Sequence, residues 1–167
     1  MAVTRLLRFY AGTGTDDRGR RLADIWRFSM DDLEGVHDYI QWLFPLAEQS
    51  AFNPGAPILD AESIEQFATD DVIRHNLGRS LRVMLTFYGL EVAGDCIRPA
   101  PSFKDRSKIW LTPHNHNYLR LTRILKSLAL LGLHGEAKQM LTCLQEIYAN
   151  HQRVIGPATL AFWRDAV

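Results

Sequence analysis

Ile73, Leu77, Leu81, Met84, Leu85 and Tyr88 recur at intervals of three and four residues. That repeat gathers side chains on one face of an α-helix, and a β-strand, whose period is two, cannot accommodate it. The spacing returns at Leu121, Ile124, Leu125, Leu128, Leu131 and Gly132, with Asn117 at the head of the same face. No segment alternates apolar and polar residues convincingly, and there is neither an internal repeat nor a low-complexity tract. The expected class is therefore all-α: one compact multi-helix bundle of about six or seven helices with long Pro-rich connections, a single domain over residues 1–167. With 47% hydrophobic and 23% charged residues, a chain of 167 can bury a core of its own.

Punctuation residues divide the remainder. Three glycines and two aspartates between Arg8 and Gly19 predict a loop, followed by a short helix over Arg20–Phe28 carrying Leu22, Ile25 and Trp26. Ser29 with Asp32 three positions on has the form of a capping box. A helix over Asp31–Phe44 is expected behind it, with Leu33, Val36, Ile40 and Phe44 on its apolar face and Tyr39 and Trp42 turned outward to cover the next connection. Pro45 and the run Asn53–Pro57 force that connection into extended backbone. Ser63 with Gln66 predicts a short helix, Thr69 the cap of a longer one, and Gly89 its stop. The stretch from Glu91 to Pro113, with three prolines, reads as a long irregular connection. Helices from Asn115 or Asn117 to Leu131 and from Gly135 to His151 follow, and a short one after Pro157.

Composition narrows the function. Apolar runs fall well short of the roughly 18 residues a membrane span needs, and the basic N-terminus lacks the apolar stretch and cleavage site of a secretory signal. Cys96 and Cys143 belong to no CxxC or Cys/His spacing, which suits two free thiols in a reducing, cytoplasmic setting. His114-x-His116 offers two ligands without a third, so no metal is expected. There is no GxSxG, P-loop, GxGxxG or HExxH, hence no cofactor motif and no recognisable nucleophile. Net charge is zero but segregated: residues 24–48 and 60–71 each sum to −5, residues 103–126 to +5.

The candidate site comes from polar residues in apolar company. On the helix that begins near His116, a narrow stripe of His116, Arg120, Arg123 and Ser127 runs between leucines, narrower than a solvated face. Either acidic residues of the same chain pair these arginines, or the guanidinium forks await a ligand carboxylate or phosphate. On the earlier helix, His37 sits within the apolar face beside Gln41, either as a buried histidine satisfied by one hydrogen bond or as a working group.

Longer words are more specific. Arg8-Phe9-Tyr10 with Asp17, Gly19 and Arg20, the run His37 to Leu46, Phe87-Tyr88-Gly89, and the run His116 to Leu128 together resemble the opioid growth factor receptor conserved region over about residues 8–165. The resemblance implies a receptor-type domain. The animal receptor is nucleus-associated, distinct from the seven-helix opioid receptors, binds the pentapeptide enkephalin and restrains cell proliferation. This chain ends shortly after the domain and has no nuclear-import cluster, so the version expected is a stand-alone, microbial one. No catalytic residue carries over.

The leading expectation is a binding module for a peptide or small anionic ligand. Its site would form where the Gln41–Pro45 and Asn53–Pro57 segments approach the His116/Arg120/Arg123 stripe, with Arg120 and Arg123 binding an acidic group and His37, Gln41, Trp42, Asn53 and Asn117 completing the contacts. One alternative is an enzyme with His37 or His116 as general acid/base. Another is nucleic-acid binding by Lys104, Arg106, Lys108, Arg120, Arg123 and Lys126, with Trp110 stacking on bases, and the last is a purely structural or protein-interaction role.

Overall fold

The computed structural model describes residues 4–167. Among them are eleven helices and one two-stranded antiparallel hairpin, so the predominantly helical class holds with more helices than expected. The surplus comes from helices of four to six residues, too short to display a 3.6-residue period, from the division of one expected helix into two, and from an eight-residue helix in the stretch expected to be irregular. No helix is long and apolar enough to cross a membrane.

The chain divides into two compact units, Met1–Leu81 and Arg82–Val167, with one helix, α6 (Asp71–Tyr88), running through the boundary. The first unit contains α1 (Arg5–Tyr10), α2 (Leu22–Trp26), α3 (Met30–Gly35), α4 (Ile40–Leu43) and α5 (Ala61–Thr69). Phe9, Tyr10, Ile25, Tyr39, Trp42, Phe44 and Phe67 form an aromatic-rich core. Phe9 meets Trp42 edge-on at 5.2 Å, and Tyr10 meets Phe67 at 4.8 Å.

The helix expected over Asp31–Phe44 is two helices. The Ser29/Asp32 capping box does open α3, with Ser29 Oγ accepting from Asp32 N at 3.0 Å and Asp32 Oδ2 from Ser29 N at 3.1 Å. At Val36, however, the backbone turns extended (φ −88°, ψ 128°). The physical reason lies in Tyr39, whose hydroxyl donates to Leu33 O at 2.6 Å. That carbonyl lies in the last turn of α3, and the chain must fold back for Tyr39 to reach it. Tyr39 and Trp42, expected at the surface, are consequently interior, at 0% and 2% exposure. Elsewhere the caps differ by a few residues: Asp60 caps α5 through Ser63 N (2.7 Å), and Asp70 caps α6 through Val72 N and Ile73 N (2.9 and 3.1 Å), in place of Ser63 and Thr69.

In the second unit, the stretch expected to be irregular holds β1 (Leu90–Ala93), β2 (Cys96–Pro99) and α7 (Phe103–Trp110). Ala93 pairs with Cys96 across a two-residue turn, Gly94-Asp95, with Gly94 at φ +61°. Glycine in the first position of such a turn is a hairpin signal, here hidden between short strands. Gly89 ends α6 at φ +76°, as expected. The last carbonyls of α6 are met from α7, Arg106 Nε donating to Phe87 O at 2.8 Å and Trp110 Nε1 to Tyr88 O at 3.0 Å. Then come α8 (Asn117–Leu130), α9 (His134–Asn150), α10 (Gln152–Ile155) and α11 (Pro157–Asp165), with α8, α9 and α11 packed together and β2 laid on α9. The apolar faces of α8 and α9 supply Leu121, Ile124, Leu125, Leu128, Met140 and Leu144 to this core, all 0% exposed.

Candidate functional site

In the first unit the run Ile40–Leu46 is buried without interruption, Gln41 included at 4% exposure. A carboxamide so placed needs partners, and Asn53 provides one. Asn53 is held by a turn in which Ser50 Oγ accepts from Phe52 N and Asn53 N at 3.3 and 3.2 Å, and Gln49 Nε2 donates to Pro54 O at 3.1 Å. From this half-buried perch Asn53 Nδ2 donates to Gln41 Oε1 at 3.5 Å and to Asp38 O at 3.4 Å, both long bonds. Gln41 and Asn53, distant in sequence, are thus brought together. His37 is not the buried histidine expected: it is exposed, on the link between α3 and α4. Trp42 is in the core, packed on Phe9.

Sequence reasoning missed the charge cluster beside them. Asp16 is fully buried and accepts from Arg18 N and Arg20 N at 2.9 Å each and from Arg20 Nε at 2.7 Å. Arg20 Nη2 pairs with Asp38 Oδ1 at 2.8 Å, while Arg18 Nε donates to Asp38 Oδ2 at 3.0 Å. Burial pushes the Asp38 carboxyl up, but bonding and charge from Arg20 and then Arg18 outweigh it and hold the group below its ordinary range. Arg5 joins through a 2.6 Å bond from Nη2 to Asp16 O. An aspartate with arginines two and four residues on, in a glycine-bearing loop, was the available signal.

In the second unit the candidates start at the head of α8. Asn115 Oδ1 accepts from Asn117 N at 2.9 Å and from Asn117 Nδ2 at 3.0 Å, and Asn115 Nδ2 donates to Ile109 O and Thr112 Oγ1 at 2.9 and 2.8 Å. Asn117, 0% exposed, also accepts from Tyr88 Oη at 3.3 Å. The stripe grades from exposed His116 through buried Arg120 (6%) and half-buried Arg123 to buried Ser127, while Leu119 is 58% exposed. A guanidinium that far from solvent is not part of a freely hydrated face.

The rival sites fare differently. Trp110 is 0% exposed and its indole is bonded to Tyr88 O, so it presents no ring for a base to stack on. Arg106 is engaged with Phe87 O and Lys108 with Asp105 Oδ1 at 2.9 Å. Among the described residues no three His, Cys, Asp or Glu side chains gather as a metal centre requires.

Comparison with known proteins matches residues 7–165 to the family described as the opioid growth factor receptor (OGFr) conserved region. The opioid growth factor receptor of Mus musculus is 39% identical over 131 residues, covering 76% of this chain and 20% of that protein. That of Rattus norvegicus is 41% identical over 131 residues, covering 76% and 22%. The opioid growth factor receptor-like protein 1 of Xenopus tropicalis is 41% identical over 111 residues, covering 64% and 21%. The chain spans about a fifth of the length of these relatives. No solved structure matches it. The motifs from Arg8 to Leu128, the helical fold that seats them and the match over nearly the whole chain agree: this protein belongs to the opioid growth factor receptor family, of which it carries the conserved region.

Proposed function

We propose that the chain is a binding module for a peptide or small polar ligand with an acidic group, in a signalling or growth-regulatory role. The observation that carries this reading is the burial of hydrogen-bonding and charged groups inside family motifs: Gln41 at 4% and Arg120 at 6% exposure, each among buried apolar side chains of its own helix. Such groups are costly to bury and are kept where they specify a conformation or recognise something. The printed names of the relatives describe receptors for an opioid growth factor, which makes a peptide the first ligand to try.

Two sets of residues are the candidates, one in each unit: His37, Gln41, Trp42 and Asn53 in the first, and His116, Asn117, Arg120 and Arg123 in the second. The test is calorimetric titration of the purified chain with the enkephalin pentapeptide, alongside Arg120→Ala and Gln41→Ala. Saturable binding that Arg120→Ala removes, with the helical circular dichroism of the parent intact, supports the reading. Absence of binding at millimolar peptide, or an Arg120→Ala chain that simply unfolds, leaves Arg120 a structural ion and sinks the site.

A further inference from the structure

Three of the four tryptophans satisfy their indole N–H: Trp26 donates to Ser80 Oγ at 2.9 Å, Trp110 to Tyr88 O at 3.0 Å and Trp163 to Tyr118 O at 3.3 Å. Trp42 does not. It is 2% exposed, lies edge-to-face with Phe9, and its Nε1–H meets no acceptor among the described residues. A buried indole N–H ordinarily finds a partner, because one left unmade forfeits its hydration for nothing in return.

The group above this ring is a cation. Arg5, largely exposed at the start of α1, carries its guanidinium over Trp42 at 5.4 Å from the ring centroid. The arm is tied down by its bond to Asp16 O, a backbone carbonyl, and among the described residues Arg5 makes no salt bridge. The other two arginines of the cluster differ, Arg18 and Arg20 both being paired with carboxylates. A guanidinium with no acid partner therefore sits beside an indole donor with no acceptor, and a carboxylate complements both, being planar, anionic and acceptor-only.

We propose that Arg5 and Trp42 form a carboxylate-recognition pair. Resting on the reading of the domain as a peptide-binding module, it takes the C-terminal carboxylate of the ligand, one oxygen on the Arg5 guanidinium and the other accepting from Trp42 Nε1. The exposed arm of Arg5 acts as the movable strap: it lifts from the indole to admit the carboxylate and closes on it as an ion pair.

The experiment compares the enkephalin pentapeptide with its C-terminal amide, by calorimetry and by the indole Nε1–H resonance of Trp42, assigned through its loss in Trp42→Phe. The free acid is expected to bind roughly tenfold or more tightly than the amide, the margin of a charge-assisted contact. Its binding moves the Trp42 resonance downfield, and Arg5→Gln abolishes the difference between the two peptides without unfolding the chain. Acid and amide binding alike with the Trp42 resonance unmoved overturns the carboxylate pair while peptide binding stands. Arg5→Gln retaining the full preference overturns it equally, even where Trp42→Phe fails to fold. Binding of neither peptide removes both this inference and the reading beneath it.

Discussion

Arg20 Nε donates to Asp16 Oδ2 at 2.7 Å, from a side chain one-fifth exposed to a carboxylate with no exposure at all. Asp16 also accepts the main-chain N–H groups of Arg18 and Arg20, so the loop between α1 and α2 is wound around one buried anion. Asp16→Ala removes three acceptor contacts and leaves a cation half-compensated. The expected loss is about 3 kcal/mol of unfolding free energy, the size seen when one partner of a buried pair is deleted. Urea denaturation measures it, and a loss under about 0.5 kcal/mol, the level of an ordinary surface substitution, would mean the loop holds without the anion.

The pH dependence follows from Asp38. Its folded carboxyl lies below the ordinary value of 3.8, because Arg20 and Arg18 together overcome the opposing effect of burial. A depressed acid contributes stability that is complete above the unfolded value and is lost as pH falls through the folded one. Melting temperature should therefore be flat with respect to this group near neutrality and decline below about pH 4. Asp38→Asn should be less stable at pH 7 and show a shallower acid decline. An unchanged acid limb would remove Asp38 from the account.

Two glycines with similar backbone should respond differently to alanine. Gly89 (φ +76°) and Gly94 (φ +61°) both lie in the left-handed region. A Cβ at Gly94 meets nothing within 4 Å, whereas at Gly89 it would sit 2.8 Å from Phe103 Cα and 2.9 Å from Arg106 Cβ. Gly94→Ala should cost about 1 kcal/mol, the backbone penalty alone. Gly89→Ala adds overpacking and should cost about 3 kcal/mol or more. Equal losses in chemical denaturation would show that α7 moves aside freely.

The thiols should separate by rate. Cys96 is exposed on β2, while Cys143 is interior on α9. Burial, reinforced by Glu146 and by Cys96, pushes the Cys143 thiol up to about 12. Since the thiolate is the nucleophile, a disulfide reagent at pH 8 should modify Cys96 rapidly and Cys143 only as fast as the second unit opens. Cys96→Ser should remove the fast phase. Two equally fast phases would contradict the packing of α9.

Patterns contained within a dozen consecutive residues were legible before any coordinates. The faces of α6 and α8, the stop at Gly89 and the Ser29/Asp32 capping box each depend on neighbours three or four positions apart, and each appears where the local pattern put it. The hidden burial on α8 was legible too, since a narrow polar stripe between leucines cannot be a hydrated face.

What required the tertiary structure was every feature set by partners far away in the chain. Whether residues 31–44 form one helix or two depends on where Tyr39 sends its hydroxyl, and that choice turned Tyr39 and Trp42 inward and His37 outward. Asp16 takes one arginine side chain and two backbone amides from within four positions, but the cluster around it closes only when Asp38 and Arg5 arrive from farther along the chain. The pairing of Gln41 with Asn53, and of Arg5 with Trp42, likewise joins segments 12 and 37 positions apart. Local periodicity determines which residues can be helical and which face is apolar. Which polar atoms go unsatisfied, and are therefore candidates for a ligand, is decided only when distant segments compete for the same hydrogen bonds.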